Sequence, residues 1–337
     1  MDDLGNRSGY QALRSGPAEL YTDDGTNTNR YSTIAGNFVA YDDAGNLTTD
    51  RNGYSYDYDY ENRIVSIYFD INRNGIFETG DTRIVKYTYD ALNRRIKTDD
   101  LVTAANTRLY YYNDRWQVLN EYDNQNNFTA FYIYGKIEES HIKINGQSAA
   151  DYFKNMINPI LAEVYHPKGC VDEVLYTANT TGGYYYLHDH LFSPVALLDY
   201  ISGSVVERYE YNAYGKAAIY DSNFTLRTST LHNNPYLFTC RRLDNLNYNQ
   251  TTGQYDYEIM YYRNRYYDTT MGRFLTHDPL RYSDGMNLYE YVISNPLMYS
   301  DALGLSKKHE SAIDNSDGKS LTEIDAIKHC ITSKNKW

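Results

Sequence analysis

The 337-residue chain has no run of 18 apolar residues, and so no segment that crosses a bilayer as a helix. Its start, Met1-Asp2-Asp3-Leu4-Gly5-Asn6-Arg7, lacks a basic opening and an apolar stretch, and no signal peptide is visible. Cysteine is scarce: Cys170, Cys240 and Cys330 are odd in number and far apart, with no CxxC or Cys/His spacing. That excludes a disulfide framework and a structural zinc site, and reads as solitary packed or surface thiols. Positive charge is also short. Lys and Arg total 32 against 44 Asp and Glu, a net charge of −12, and the pI is near 5.1. Such a field repels a phosphate backbone, which argues against a nucleic-acid-binding role. The hydrophobic fraction is 42% and the mean hydropathy −0.68, too polar for an ordinary core packed from Leu, Ile and Val.

What fills the gap is tyrosine, with 40 residues against 10 Phe and 2 Trp. A tyrosine buries a large ring, keeps a hydroxyl for a hydrogen bond and favours strands. The composition therefore predicts extended β-structure with half-wet faces. It argues against a helical bundle, a doubly wound α/β enzyme and disorder.

A short phrase recurs: Tyr-Asp, two variable residues, Gly or Asn, then Asn or Arg. It reads Tyr41-Asp42-Asp43-Ala44-Gly45-Asn46, Tyr58-Asp59-Tyr60-Glu61-Asn62-Arg63 and Tyr89-Asp90-Ala91-Leu92-Asn93-Arg94. It returns with Asn for Asp as Tyr211-Asn212-Ala213-Tyr214-Gly215-Lys216. Each copy ends one alternating stretch and begins another; Tyr54, Tyr56 and Tyr58 alternate, as do Val85, Tyr87 and Tyr89. The carboxylate can cap backbone amides, and Gly or Asn tolerates positive φ, so the unit is a β-hairpin.

These residues resemble the YD-repeat, or Rhs, family. The resemblance sharpens in the stretch from Tyr186 to Asp199 that contains His188-Asp189-His190, and again in Asn234-Pro235-Tyr236-Leu237-Phe238-Thr239. It continues through Arg263-Asn264-Arg265-Tyr266-Tyr267-Asp268, Met271-Gly272-Arg273-Phe274-Leu275 and Asp278-Pro279. It closes with Asn287-Leu288-Tyr289, Asn295-Pro296 and Asp301-Ala302-Leu303-Gly304-Leu305. The series is similar to an Rhs repeat-associated core over roughly 171–305. The family implies a spiral sheet of hairpins that forms a hollow shell around a C-terminal segment, often a toxin. In many members the core cuts the chain after the final Gly-Leu.

The expected fold is all-β: a partial YD-repeat hairpin sheet over 1–135, an insertion over 136–170, the core over 171–305 and a variable tail over 306–337. The insertion carries helical spacing at Phe153, Met156, Ile157, Ile160, Leu161 and Val164, interrupted by Pro159. The tail has no tyrosine and many lysines, and is too short for an independent enzyme core. The opening turn phrase around Asp3-Leu4-Gly5-Asn6 reads as the end of a larger shell.

Three places could carry chemistry. In Asp70-Ile71-Asn72-Arg73-Asn74-Gly75-Ile76-Phe77-Glu78-Thr79-Gly80-Asp81, oxygen donors fall at loop positions 1, 3, 5, 9 and 12 with Gly at 6. With the Ile76 carbonyl at position 7, the ligand set for calcium is Asp70, Asn72, Asn74, Ile76, Glu78 and Asp81. Strand-like flanks replace the EF-hand helices, and the rival reading is an Asn/Gly-rich turn.

The second place is Asp278 with Asp301. The resemblance implies an aspartic-protease-like pair cutting between Leu305 and Ser306, with Glu290 as reserve partner and Asp284 also nearby. Arg281 stands where the family has Gly, and Ala302 where it has Pro. If that Gly has positive φ, a side chain costs about 1–2 kcal/mol. The rival reading is a set of turn-capping aspartates in an inert plug.

The third place is His188 with His190, which share a face if both lie on one strand. The leading functional expectation is the shell and release module of a polymorphic toxin, secreted or at the cell surface. Its partners would be its own C-terminal segment or further shell repeats. The alternative is a cell-surface YD-repeat protein without catalysis that contacts carbohydrate or protein.

Overall fold

The computed structural model describes residues 6–7, 9–10, 19–26, 28–134, 143–144, 147–148, 173–283, 285–305 and 308–309. Asp284, Ser306, Cys170, Cys330 and the helical spacing from Phe153 to Val164 lie outside them. The described residues are almost entirely strand and turn; their helix is limited to four three-residue 3-10 segments.

The hairpin phrase folds as its chemistry dictates. In the Asp59 copy, the Asp59 N–H donates to Arg63 O at 3.0 Å and Asn62 N–H to Asp59 O at 3.0 Å. The Asp59 carboxylate accepts the Glu61 and Arg63 amides at 2.9 and 3.1 Å. Asp90 repeats the pattern with Leu92 and Arg94, and Asn212 with Tyr214 and Lys216. The fourth residue takes positive φ each time: Gly45 at 88°, Asn62 at 62°, Asn93 at 67° and Gly215 at 89°. Each turn thus adds one left-handed residue; beside the Asp42, Asp59 and Asp90 copies the strand register shifts, as between Asp57 and Tyr58, whereas beside the Asn212 copy it stays constant from Glu207 opposite Asp221 to Tyr211 opposite Ala217.

The same turn occurs where the sequence phrase is blurred. Asn113, Asp123, Asp189 and Asp221 cap it, with Trp116, Asn126, Phe192 and Phe224 at φ of 62–65°. Asp50 does so with Gly53 at 89°.

The phrase also needs tyrosine in particular. Tyr58 Oη donates to Leu47 O, Tyr89 to Ile64 O, Tyr112 to Arg95 O and Tyr211 to Pro194 O, each at 2.7 Å, and Tyr134 to Val118 O at 3.1 Å. Each acceptor is the first residue after an earlier capped turn. The hydroxyl of one repeat therefore satisfies a carbonyl of the repeat before it. Burial pushes the hydroxyl pKa of Tyr58, Tyr89, Tyr112, Tyr134 and Tyr211 well up, which keeps them proton donors.

These hairpins join edge to edge into one fifteen-stranded antiparallel meander running from Ala40–Tyr41 to Leu226–Arg227. Strand Phe128–Tyr134 pairs directly with Val174–Asn179, Phe131 opposite Ala178, so the intervening segment leaves the sheet unbroken. A separate four-stranded sheet, Arg242–Asn249, Gln254–Tyr262, Arg265–Asp268 and Arg273–Phe274, packs against one face of the meander.

Two apolar clusters and two buried ion pairs join them. Arg95, fully buried, lies between the Tyr87 and Tyr261 rings and pairs with Asp244, its Nη2 at 2.9 Å from Oδ1. Arg242 pairs with Glu121. Between the sheets lies a polar cavity of about 470 Å³ lined by Thr98, Tyr110, Glu121, Tyr132, Arg242 and Asn245 among others.

Candidate functional site

The second sheet turns at Arg263-Asn264, and this turn grips the chain segment 301–305. Arg263 donates to Ala302 O at 2.8 Å, Asn264 Nδ2 to Leu303 O at 2.9 Å and Arg265 Nε to Gly304 O at 2.6 Å. Gly304 has φ of +66°, and a Cβ there would stand 2.5 Å from Tyr262 O. Only glycine fits so close to another backbone.

Within this grip Asp278 and Asp301 come together around one guanidinium. Arg265 Nη2 lies 3.0 Å from Asp278 Oδ2 and 3.3 Å from Asp301 Oδ2, so the two Oδ2 atoms are separated by no more than those contacts combined. All three residues are at most 6% exposed. The second oxygens are bound to backbone: Asp278 Oδ1 accepts Leu280 N–H at 2.8 Å. Asp301 Oδ1 accepts Leu303 N–H at 3.2 Å and Leu305 N–H at 3.0 Å. The turn-cap and the paired-carboxylate readings thus describe the same residues, one oxygen each.

Beside the pair is a cavity of about 20 Å³, lined by Arg265, Asp278, Asp301, Glu290, Asn287 and Arg281 among others. That is room for one water. Glu290 reaches this cavity and accepts Ser294 Oγ at 2.6 Å, whereas Asp301 shares Arg265 with Asp278.

The cavity wall is strained. Arg281 has φ of +60°, the conformation anticipated for the glycine it replaces. Val292, Ile293 and Ser294 follow one another at 45°, 53° and 53°. A left-handed run of three non-glycine residues costs about 1–2 kcal/mol per residue. Strain of this kind gathers at functional sites.

In the sequence Arg265 has no signal of its own beyond the Arg263–Asp268 phrase. Its role depends on strand Arg265–Asp268 meeting a segment 36 residues later, which no local pattern announces.

The two histidines do not form a site. The strand ends at His188, and His190 lies in the Asp189 turn, its Nε2 3.0 Å from Leu297 O. They therefore share no face; burial pushes the His188 pKa down to about 4. Among the described residues no three His, Cys, Asp or Glu side chains converge as a metal cluster. The Cys240 side chain is buried.

In the loop 70–81, Asp70 is buried and its carboxylate accepts Arg73 N–H at 2.7 Å, Gly75 N–H at 2.7 Å and Ser55 Oγ at 3.0 Å. The Asn72 and Asn74 side chains both meet Glu78 Oε1, and Asn74 Oδ1 accepts Ile76 N–H at 2.8 Å. Asp81 caps the Ile71 and Glu78 amides at 3.0 and 2.9 Å. Positions 3 and 5 thus donate their amide nitrogens to the carboxylate at position 9, while positions 1 and 12 fasten the loop to its own backbone.

No family model matches the chain. In sequence it is similar to tRNA3(Ser)-specific nuclease WapA of Bacillus spizizenii, 25% identical over 307 residues, covering 90% of this chain and 10% of that protein. It is 25% identical over 276 residues to double-stranded DNA deaminase toxin A of Burkholderia cenocepacia, covering 79% of this chain and 17% of that one. The chain thus spans a tenth to a sixth of the length of these relatives. In structure it resembles TcdB2-TccC3-Cdc42 with a TM-score of 0.55 at 17% identity, over 87% of this chain and 12% of that one. At that identity the likeness speaks for the fold alone. The chain is an all-β hairpin sheet with the fold of a segment of that structure, similar in sequence to a tRNA-specific nuclease and to a DNA deaminase toxin.

Proposed function

We propose that the chain is the closing end of a toxin shell, and that its core cuts the polypeptide between Leu305 and Ser306. The observation that carries this reading is the buried Arg265–Asp278–Asp301 cluster holding the backbone on both sides of the Gly304–Leu305 peptide. Asp278 acts as general base on a water in the adjoining cavity. The water oxygen attacks the Leu305 carbonyl carbon, its proton passes to Asp278, the bond to the Ser306 nitrogen breaks, and that nitrogen takes the proton. Asp301 and Arg265 position the segment by fixing the Leu305 N–H and the Gly304 carbonyl. The polar cavity between the sheets belongs to the enclosed interior, and the cut frees the segment beginning at Ser306 outside the producing cell.

The test is N-terminal sequencing of products after incubation. A new terminus at Ser306, absent in Asp278→Asn and in Asp301→Asn, supports the site. A cut that persists in Asp278→Asn overturns the role of that carboxylate. Loss of the cut in Glu290→Gln but not in Asp301→Asn makes Glu290 the partner.

Separately, the loop 70–81 is proposed as a calcium site built on Asn72, Asn74, Ile76 and Glu78, with Asp70 and Asp81 turning outward to join them. It rests on the spacing of the oxygen donors along the loop; binding would turn the Asn72 and Asn74 amides, whose nitrogens donate to Glu78 Oε1 here, so that their oxygens face the ion.

A further inference from the structure

His277 sits where the turn 42–46, at one edge of the long meander, meets the segment that follows strand Arg273–Phe274. Two hydrogen bonds mark this joint: Leu47 N–H donates to Leu275 O at 2.8 Å, and Tyr289 Oη to Gly45 O at 2.7 Å. The imidazole lies across Gly45, so closely that a Cβ there would collide with the ring. It also meets the Tyr289 ring edge-on, 4.8 Å between centroids, and Tyr289 meets Tyr41 in the same way at 5.6 Å. The next residue is Asp278, whose N–H is tied to Leu288 O at 2.9 Å.

The charges around the ring are lopsided. Arg30, Arg273 and Arg281 act on it as cations, and Asp42 is the acid opposed to them. Arg273 lies between the Tyr31 and Tyr289 rings, at 4.4 and 4.5 Å, and Arg30 over Tyr41 at 5.8 Å. Burial pushes the Tyr41 and Tyr289 phenols up, so both stay neutral. Both Asp42 oxygens are already engaged by Asn46, through its backbone N–H and its side-chain amide, each at 2.8 Å. His277 Nε2 is buried without a hydrogen-bond partner among the described residues, and so are Arg30 Nε and Arg273 Nη1. A proton on the imidazole would thus add a fourth positive charge beside a carboxylate that is already bound.

We infer that His277 is a proton-operated latch on this joint: the neutral imidazole seats the turn 42–46 against the core segment, and the imidazolium releases it. The latch works whether or not Asp278 cuts the chain. Release also loosens the segment that carries Asp278, the residue beside it.

Burial first, then Arg30 and Arg281, push the His277 pKa down to about 4, against an ordinary value of about 6.5. The folded value lies below the unfolded one, so the neutral ring stabilises the joint above about pH 6.5. That contribution is lost as pH falls toward about 4. At pH 5 the joint should open about thirtyfold more often than at pH 7.5.

Hydrogen exchange of the Leu47 amide, whose acceptor lies across the joint, reads this opening on the full chain. Corrected for the intrinsic pH dependence of exchange, its protection is expected to fall about thirtyfold between pH 7.5 and pH 5. His277→Gln, neutral at both values, should abolish the fall even where it lowers protection overall. Arg30→Gln keeps the imidazole and removes one of the opposing cations, so its fall should be smaller.

Leu47 protection that is the same at the two pH values in the unaltered chain overturns the latch. So does a fall of full size that persists in His277→Gln. The readout is an amide and not the cut, so a chain that never loses its tail still tests the latch. A latch that fails leaves the cut to be decided by Asp278→Asn.

Discussion

At the scale of residues, tyrosine is selected for its hydroxyl as much as its ring. Tyr89→Phe keeps the ring and strands the Ile64 carbonyl, whose donor at 2.7 Å is lost. The expected loss is about 1–3 kcal/mol, read as a lower urea midpoint at unchanged slope.

Asp50 gives a pH signature. Burial first of all pushes its pKa up to about 6, against the backbone amides of Tyr54 and Asn52 that pull it down. A folded value above the unfolded one stabilises the protein at low pH, and the benefit is lost as pH rises through about 6. Asp50→Asn should therefore be more stable than the unaltered chain at pH 7.5, by up to about 3 kcal/mol, and nearly equal to it near pH 4. Urea unfolding at the two pH values decides; equal stability at both would remove Asp50 as the cause.

The residue scale also shows where the sequence misleads. Gly45, Asn62, Asn93 and Gly215 mark their turns because they tolerate positive φ. Trp116, Phe192 and Phe224 take the same conformation without a local preference for it, since the capping Asn113, Asp189 and Asp221 and the neighbouring strands impose it.

At the scale of elements, hairpins were legible because everything that makes one lies within about ten residues. The aspartates were legible through family resemblance, whereas Arg265 was not, because its partners arrive from distant segments. Strand His188 and turn His190 separate for a local reason instead, the Asp189 cap ending the strand between them where the sequence phrase is blurred.

The loop 70–81 gives an element-scale prediction. Calcium at a hundredfold excess over its dissociation constant should add about 2.7 kcal/mol and raise the melting temperature relative to chelator. Asn72→Ala with Asn74→Ala should abolish the difference. Coincident melting curves with no heat of binding would leave the loop a turn.

At the scale of the whole molecule, the meander and the second sheet are joined by buried charge as well as by rings. Asp244→Ala leaves the Arg95 guanidinium buried beside Tyr87 and Tyr261 with its carboxylate gone. The expected cost is about 3–5 kcal/mol, seen in urea unfolding, and a loss under 1 kcal/mol would mean that Arg95 finds water. The all-β architecture followed from tyrosine content and repeated turns, but the pairing of Arg95 with Asp244 across 149 residues had no signature in the sequence.

The central claim is that the buried cluster of Arg265, Asp278 and Asp301 performs chemistry on the chain that it grips. Intact-mass spectrometry after long incubation at acidic and neutral pH tests it most directly. The account predicts that the 39.2 kDa chain loses about 3.7 kDa, the share carried by its last 32 residues, and that Asp278→Asn stays whole. A chain that keeps its full mass under every condition would contradict the account and leave the aspartates as caps of the turns that they close.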